Sequence, residues 1–197
     1  MTPATEPDWS ARPILQRGEV RLTPLGLEHA RGLMACLDPA TTRYVARGVP
    51  DDGSLEGWTG YVQRLLAQPN RVDWVLLVAG VVAGRISYTL NRPDGWVEIG
   101  TVIGAAYHGG VANPAGKFLL LQRAFEVLEV GRVQFRVDAR NARSRAALRK
   151  LGAVEEGTLR RYQRRTDGEA RDSVLYSVLP EEWPAVRARL EERLQAW

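Results

Sequence analysis

Cysteine occurs once in the 197 residues, at Cys36, so neither an internal disulfide nor a cysteine zinc cluster can form within the chain. Its place in an apolar helical pattern reads as a core thiol rather than a nucleophile. The two histidines, His29 and His108, are too few for a histidine-rich metal site, and no metal is expected. Long apolar runs are missing as well. The longest, Val75 to Ala83, is interrupted by Gly80 and falls far short of the ~20 residues that cross a bilayer. The opening MTPATEPDWSARP lacks the apolar core of a signal peptide. A cytoplasmic protein with no membrane segment is the expectation. Lysine is found only at Lys117 and Lys150; every other cation is arginine, a bias of composition that carries no direct functional information. No aromatic and basic interleaving of a nucleic-acid binder is present, and stable nucleic-acid binding is not expected.

What remains is an ordinary globular balance, 45% hydrophobic and 25% charged, with no break in composition that would mark a linker. One domain is the default for this length. The net charge of +4 is unevenly spread: residues 131–175 hold twelve Lys or Arg against six Asp or Glu. A concentration of this kind suits an anionic ligand or partner, although solvated basic surface is the commoner reason for any single run.

The stretch from Trp96 to Glu129 organises the rest. Val97 to Ile103 predicts a strand with neither face clearly polar, which suits the centre of a sheet covered on both sides. Gly104, Gly109 and Gly110 follow. Asn113 then suits an N-cap and Pro114 the first helical position of a helix carrying Phe118, Leu121, Phe125 and Leu128. A helix N-terminus preceded by glycines offers unpaired N–H groups and the positive end of a dipole, an anion site for which phosphate is the expected guest. The turn lacks the Gly-Lys-Ser/Thr of an NTPase loop and does not fit Gly-x-Gly-x-x-Gly, so those two nucleotide-binding readings drop out.

Taken in order, the chain predicts an irregular leader, a strand at Glu19 to Leu22, a helix at Leu27 to Leu37 stopped by Asp38-Pro39, and a Gly, Pro and Asp-rich loop from Ala46 to Gly53. A second amphipathic helix spans Leu55 to Gln68, and strands at Val72 to Val78 and Val81 to Leu90 flank Ala79-Gly80, a hairpin signal. Beyond the central helix, Val133 to Val137 alternates as a strand, and Asn141 or Ser144 caps a short helix closed by Gly152. Strands at about Val154 to Tyr162 and Ser173 to Leu179 flank a turn at Thr166-Asp167-Gly168. From Glu181 to Trp197 a helix with Trp183, Val186, Leu190 and Leu194 on one stripe covers the domain's own sheet.

This order, with its glycine turn between the fourth strand and third helix, resembles the GNAT acyltransferase superfamily. Asn141-x-x-Ser144, Leu151-Gly152-Ala153, Glu156-Gly157-x-Leu159-Arg160, Arg171-Asp172-Ser173 and Glu182-Trp183 look like the Rim-type branch, which acetylates protein N-termini. The likeness covers roughly residues 18 to 185. It implies an α/β (α+β) fold: a twisted mixed sheet of about six to seven strands, helices on both faces, and a splayed cleft for acetyl-CoA between strands 4 and 5. The domains it implies are a leader at 1–17, an acetyltransferase domain at 18–180 and a C-terminal helix at 181–197.

By the same resemblance, backbone groups of Val102 and Ile103 would face pantetheine. His108, Gly109, Gly110, Val111, Ala112 and Asn113 would surround the pyrophosphate, and Asn141 and Ser144 would approach from the other side. The superfamily's Gln/Arg-x-x-Gly-x-Gly/Ala pattern lands on Ala106, Gly109 and Val111, so two of its positions are unmatched, and the branch's frequent acidic residue is Ala115. The subpattern Gly109-x-x-x-Asn113-x-x-x-Lys117 is intact, with Asn113 and Lys117 on one helical face.

The chemistry needs a neutral amine to attack a thioester, N–H groups to hold the oxyanion, and a proton for the departing thiolate. Glu98 is the candidate base; its alternative is an ion pair with Arg85 or Arg136. Glu156 is a second carboxylate, alternatively a turn cap, and Ser144 could protonate the thiolate or simply cap its helix. The expected acceptor is a protein N-terminal α-amine. A small amine of aminoglycoside or polyamine type, or a domain that binds acyl-CoA without turnover, are the alternatives. A monomer or homodimer is expected.

Overall fold

A computed structural model of the chain describes residues 7–45, 50, 53–165 and 168–197. Its strands are β1 (Leu15–Arg17), β2 (Val20–Pro24), β3 (Arg71–Val78), β4 (Val81–Asn91), β5 (Trp96–Ile103), β6 (Arg132–Asp138), β7 (Val154–Arg164) and β8 (Ala170–Val178). They form one sheet in the order β1-β2-β3-β4-β5-β6-β8-β7, in which only the β5–β6 pair is parallel. The mixed sheet is the expected one with one strand more. Leu15–Arg17, assigned from sequence to an irregular leader, are that strand; three residues are too few to show an alternating pattern. Ala79 and Gly80 join β3 to β4 with φ of 49° and 82°, the left-handed pair that a tight two-residue hairpin requires.

The helices are α1 (Ala30–Cys36, entered through a 3₁₀ turn), α2 (Pro39–Thr42), α3 (Leu55–Leu66), α4 (Ala112–Gln122), α5 (Ala142–Leu151) and α6 (Trp183–Gln195). Asp38-Pro39, expected as a stop, also starts α2: the Asp38 carboxylate accepts from Thr41 N at 2.6 Å and Pro39 occupies the first turn. The loop Ala46 to Gly53 lies largely outside the described residues, as does most of the turn at Thr166-Asp167-Gly168.

On one face of the sheet α1 and α3 pack Leu33, Trp58, Val62 and Leu65 against Val75. On the other, α4 and α6 bury Phe118, Leu121, Trp183 and Val186 with Trp74, Ile86, Ile99, Val133 and Phe135. The C-terminal stripe thus covers its own domain; Trp183 also donates Nε1–H to Glu126 at 2.9 Å. Past β5 the first face turns largely polar, carrying Gln134, Arg136 and Asp138 on β6 beside Ser177 and Ser173 on β8, with Leu175 between them.

Candidate active site

Parallel pairing between β5 and β6 lasts three residues, Trp96↔Arg132, Val97↔Val133 and Glu98↔Gln134. The rest of β5 stays paired with β4, up to Ile103↔Gly84, so the edge of Gly100 to Ile103 that would face β6 is left open. An unpaired strand edge inside a protein is costly unless something supplies its hydrogen bonds. Of the two residues expected to face an extended ligand, Val102 lays its carbonyl against Gly84 of β4, and Ile103 stands on the open edge with its carbonyl oxygen 2.9 Å from His108 Nε2.

The open edge runs into the glycine turn. At Gly104 a Cβ would collide with the Cys36 carbonyl oxygen, so only glycine lets the turn begin against the end of α1. After a 3₁₀ turn at Ala105–Tyr107, Gly109 takes φ of 81° and the chain enters α4. The first α-helical bond runs from Ala115 N to Val111 O at 3.0 Å, which leaves the N–H groups of Val111, Ala112 and Asn113 ahead of the ladder. Together with the dipole they suit an anion. The helix starts earlier than predicted: Val111 holds the cap position and Asn113 lies inside the first turn. Pro114 is tolerated there because a first-turn residue needs no N–H partner.

Asn113 is instead engaged by Lys117, whose ammonium donates to Asn113 Oδ1 at 3.4 Å and to Thr101 Oγ1 at 2.8 Å and stands 5.4 Å from the Phe135 ring centroid. Lys117 therefore spans the fork, tying α4 to β5 and facing β6. It is buried with no carboxylate beside it among the described residues, and burial pulls its pKa down to about 8. His108 closes the mouth of the cleft. Arg143 of α5 donates to its Nδ1 at 2.8 Å, which leaves Nε2–H to donate to Ile103 O at 2.9 Å. Asn141, not Ser144, caps α5, accepting from Ser144 N at 3.1 Å. The Ser144 hydroxyl takes no part in the cap.

Glu98 lies at the fork on the face opposite Lys117. Its carboxylate accepts from Gln134 Nε2 at 2.9 Å and Arg136 Nη2 at 2.8 Å, while Arg85 is occupied by Tyr61 and Asp73. Arg136 also donates to Tyr162 OH at 2.8 Å, with its guanidinium 4.9 Å from that ring. Glu156 is held by Arg132 and Ser177, and the Arg132 hydrogen bond in the first place keeps its pKa below the ordinary carboxylate range. It caps no turn. Partial burial at the margin of the α1–α3 cluster pushes the Cys36 thiol up to about 11, an inert group. Among the described residues no grouping of His, Cys, Asp and Glu could hold a metal ion, and no helix is long and apolar enough to cross a membrane.

The pattern of the acetyltransferase (GNAT) domain matches residues 19–154. The chain belongs to the GNAT acetyltransferase family. GNAT enzymes are N-acetyltransferases that draw their acetyl group from acetyl-CoA. Among relatives, YdaF of Bacillus subtilis (strain 168), assigned as a ribosomal N-acetyltransferase, is 34% identical over 122 residues, which span 61% of this chain and 66% of YdaF. A solved T. thermophilus protein assigned as an acetyltransferase is 44% identical, with a TM-score of 0.90 over 95% of this chain and 100% of that one. Mycobacterium smegmatis RimJ, solved in complex with CoA-disulfide, is alike in fold: TM-score 0.80 at 22% identity, over 96% of this chain and 97% of RimJ.

Against that GNAT background the residues that sequence reasoning missed are Arg143, Thr101 and Tyr162. Arg143 follows Asn141 by two and carries a cation on the first turn of α5, a signal that was present. Thr101 and Tyr162 become visible only once β5, α4 and β7 are assembled.

Proposed function

We propose that this chain transfers the acetyl group of acetyl-CoA to the α-amine of a protein N-terminus. One observation carries the reading: β5 and β6 part after three residue pairs, in front of a free helix N-terminus, with a carboxylate at the fork. The cleft suits the donor's parts. On the open edge beyond Glu98 the Ile103 N–H is a backbone partner for a pantetheine amide, its carbonyl being held by His108. The N–H groups of Val111, Ala112 and Asn113, with His108, Gly109, Gly110, Arg143 and Asn141 around them, meet a pyrophosphate. Acetyl-CoA brings the activated acyl carbon.

The protein's own groups do the rest. Glu98 already holds two donors, and a carboxylate has about four lone-pair sites, so it can also accept from the acceptor amine and take its proton. The amine nitrogen bonds to the acyl carbon, the carbon–sulfur bond breaks, and the thiolate gains a proton for which the Ser144 hydroxyl, the one hydroxyl on α5, is the candidate. Lys117, on the far side of the fork, steadies β5 against α4.

An N-terminus is the easier acceptor: an α-amine near ~8 is substantially neutral at physiological pH, while a lysine near ~10.4 is almost wholly charged. The name of YdaF, a ribosomal N-acetyltransferase, supports a protein acceptor. Incubating the purified protein with acetyl-CoA and a broad library of free-amine peptides, read by mass spectrometry, tests this. N-terminal acetylation is expected. Efficient acetylation of polyamines or aminoglycosides with every peptide untouched would replace the reading by a small-amine transferase, and cofactor binding without transfer to any amine would leave a binding domain.

A further inference from the structure

The Arg171-Asp172-Ser173 stretch of β8 lies beside this fork, and two of its polar groups are buried without partners. Asp138 commits both carboxylate oxygens to Arg165, at 2.7 Å from Nε and 3.1 Å from Nη2, and Oδ1 also accepts from Arg140 N at 2.9 Å. Arg171 is left with a contact of 3.8 Å from its Nε to Asp138 Oδ2, too long for a hydrogen bond, and its side chain is 7% exposed. That Nε has no hydrogen-bond partner. Two residues along, on the same face, the Ser173 hydroxyl is fully buried and equally unpartnered. Buried polar groups are bonded in roughly nine cases of ten, so adjacent orphans on one strand face mark a place that expects another molecule.

The surroundings say what kind. Burial first of all lowers the Arg171 pKa; Asp138 opposes that, Arg136 and Arg165 add to it, and Glu98 opposes it in turn. Arg171 thus shares a single close carboxylate, Asp138, with Arg165 and lies within electrostatic reach of Glu98. Opposite it, the β7 register jumps between Leu159↔Ser173 and Gln163↔Arg171, so residues 160–162 bow outward. Arg161 there takes φ of 50°, its N–H held by Asp172 Oδ1 at 2.6 Å, and half-exposed Tyr162 reaches across to Arg136.

We propose that Arg171 and Ser173 form a subsite for a carboxylate of the acceptor, so that the enzyme favours amines with an acidic group close to the reacting nitrogen. The inference rests on the acetyl-transfer reading above, which puts the amine at Glu98. A guanidinium fork and a hydroxyl are the donors a carboxylate takes best, and a cation within electrostatic reach of Glu98 sets that carboxylate in the acceptor's first residues or in a small amino acid.

The test compares kcat/KM for peptide pairs that differ only as Glu against Gln, or Asp against Asn, at the first and second positions, with free glutamate and glutamine as the small-molecule arm. The acidic member should be favoured at least tenfold, mainly through KM. Preference confined to peptides assigns a protein acceptor; preference confined to free glutamate assigns an amino acid. Arg171→Gln should bring the ratio close to one. Ser173→Ala should raise KM for the acidic member while melting at or above the wild-type temperature, because it removes an unsatisfied hydroxyl. A wild-type ratio near one, or one unchanged in folded Arg171→Gln, overturns the subsite. Calorimetric binding of the same peptides to the CoA-loaded protein keeps the two readings apart. Acidic peptides that bind selectively without being acetylated would sink the transfer reading and leave the subsite standing. Peptide acetylation with no selectivity in binding or rate would do the reverse.

Discussion

Lys117 departs furthest from the ordinary state of its side chain, and the departure gives a signed prediction. Its folded pKa of about 8 lies below the ~10.4 of an unfolded lysine, so between those values the unfolded chain holds a proton that the native one has lost. Stability contributed at this site therefore rises with pH across that window; below about pH 8 both states are protonated and the burial penalty is full. Lys117→Met should raise resistance to urea at pH 7 by about 1–3 kcal/mol, with the gain shrinking toward nothing near pH ~10. An equal gain at both pH values would show that the ammonium is not what costs stability. Glu98 gives a second prediction. Glu98→Gln keeps an acceptor for Arg136 but removes the basic oxygen, so kcat should fall by roughly 10²–10⁴ with an altered acidic limb and a nearly constant melting temperature. Normal rates with lost stability would make Glu98 only the partner of Arg136. Spacing alone put Lys117 beside Asn113, and alternation put Glu98 on a central strand. The contacts that decide their chemistry, Thr101 on β5 with Phe135 and Gln134 on β6, cross between elements that sequence pattern does not bring together.

At the scale of the element, apolar alternation and helical spacing located seven of the eight strands and every helix except α2. What they misplaced was local. Asn113 and Pro114 read as cap and first position, yet the helix begins before them, because the glycine turn completes its bend at Gly109 and the next residues already have helical dihedrals. The same geometry yields a clean test of the anion site. Gly110 has no left-handed φ, and an added Cβ would meet only Tyr107 O at 3.6 Å, so Gly110→Glu should fold while setting a carboxylate before the free N–H groups. Its affinity for acetyl-CoA, measured by calorimetry, should drop at least tenfold; unchanged affinity in folded protein would move the pyrophosphate elsewhere. The cap of α5 is a structural matter of another kind. Asn141→Ala should cost about 1 kcal/mol by loss of the bond from Ser144 N.

Across the whole molecule, the excess of arginine between 131 and 175 proves to be spent mainly in pairs, Arg132 with Glu156, Arg136 with Glu98, Arg145 with Glu155 and Arg165 with Asp138, which no count of charges could foresee. The N-terminal segment was equally illegible, since prolines hide its role. Trp74 donates its indole N–H to Pro13 O at 2.9 Å, and Arg123, on the turn that continues α4, donates to Asp8 O and Ala11 O at 3.1 Å each. Arg17 lays its guanidinium 3.9 Å from the Phe118 ring centroid, and β1 covers the edge of β2. Deleting residues 1–17 would leave the buried Trp74 and Arg123 donors without these acceptors and bare an edge strand. Each orphaned buried donor costs about 1–3 kcal/mol, so a total near ~3 kcal/mol is expected, a fall in melting temperature of about 6–12 °C for a chain of this size. The cleft between β5 and β6 lies several strands away, so acetyl-CoA affinity measured well below the melting temperature should stay within about threefold. A truncated protein that melts with the full chain would mean the segment only rests on the surface. One that stays stable but loses the cofactor would mean that Arg123 and Phe118 transmit the segment's hold along α4 to the anion site.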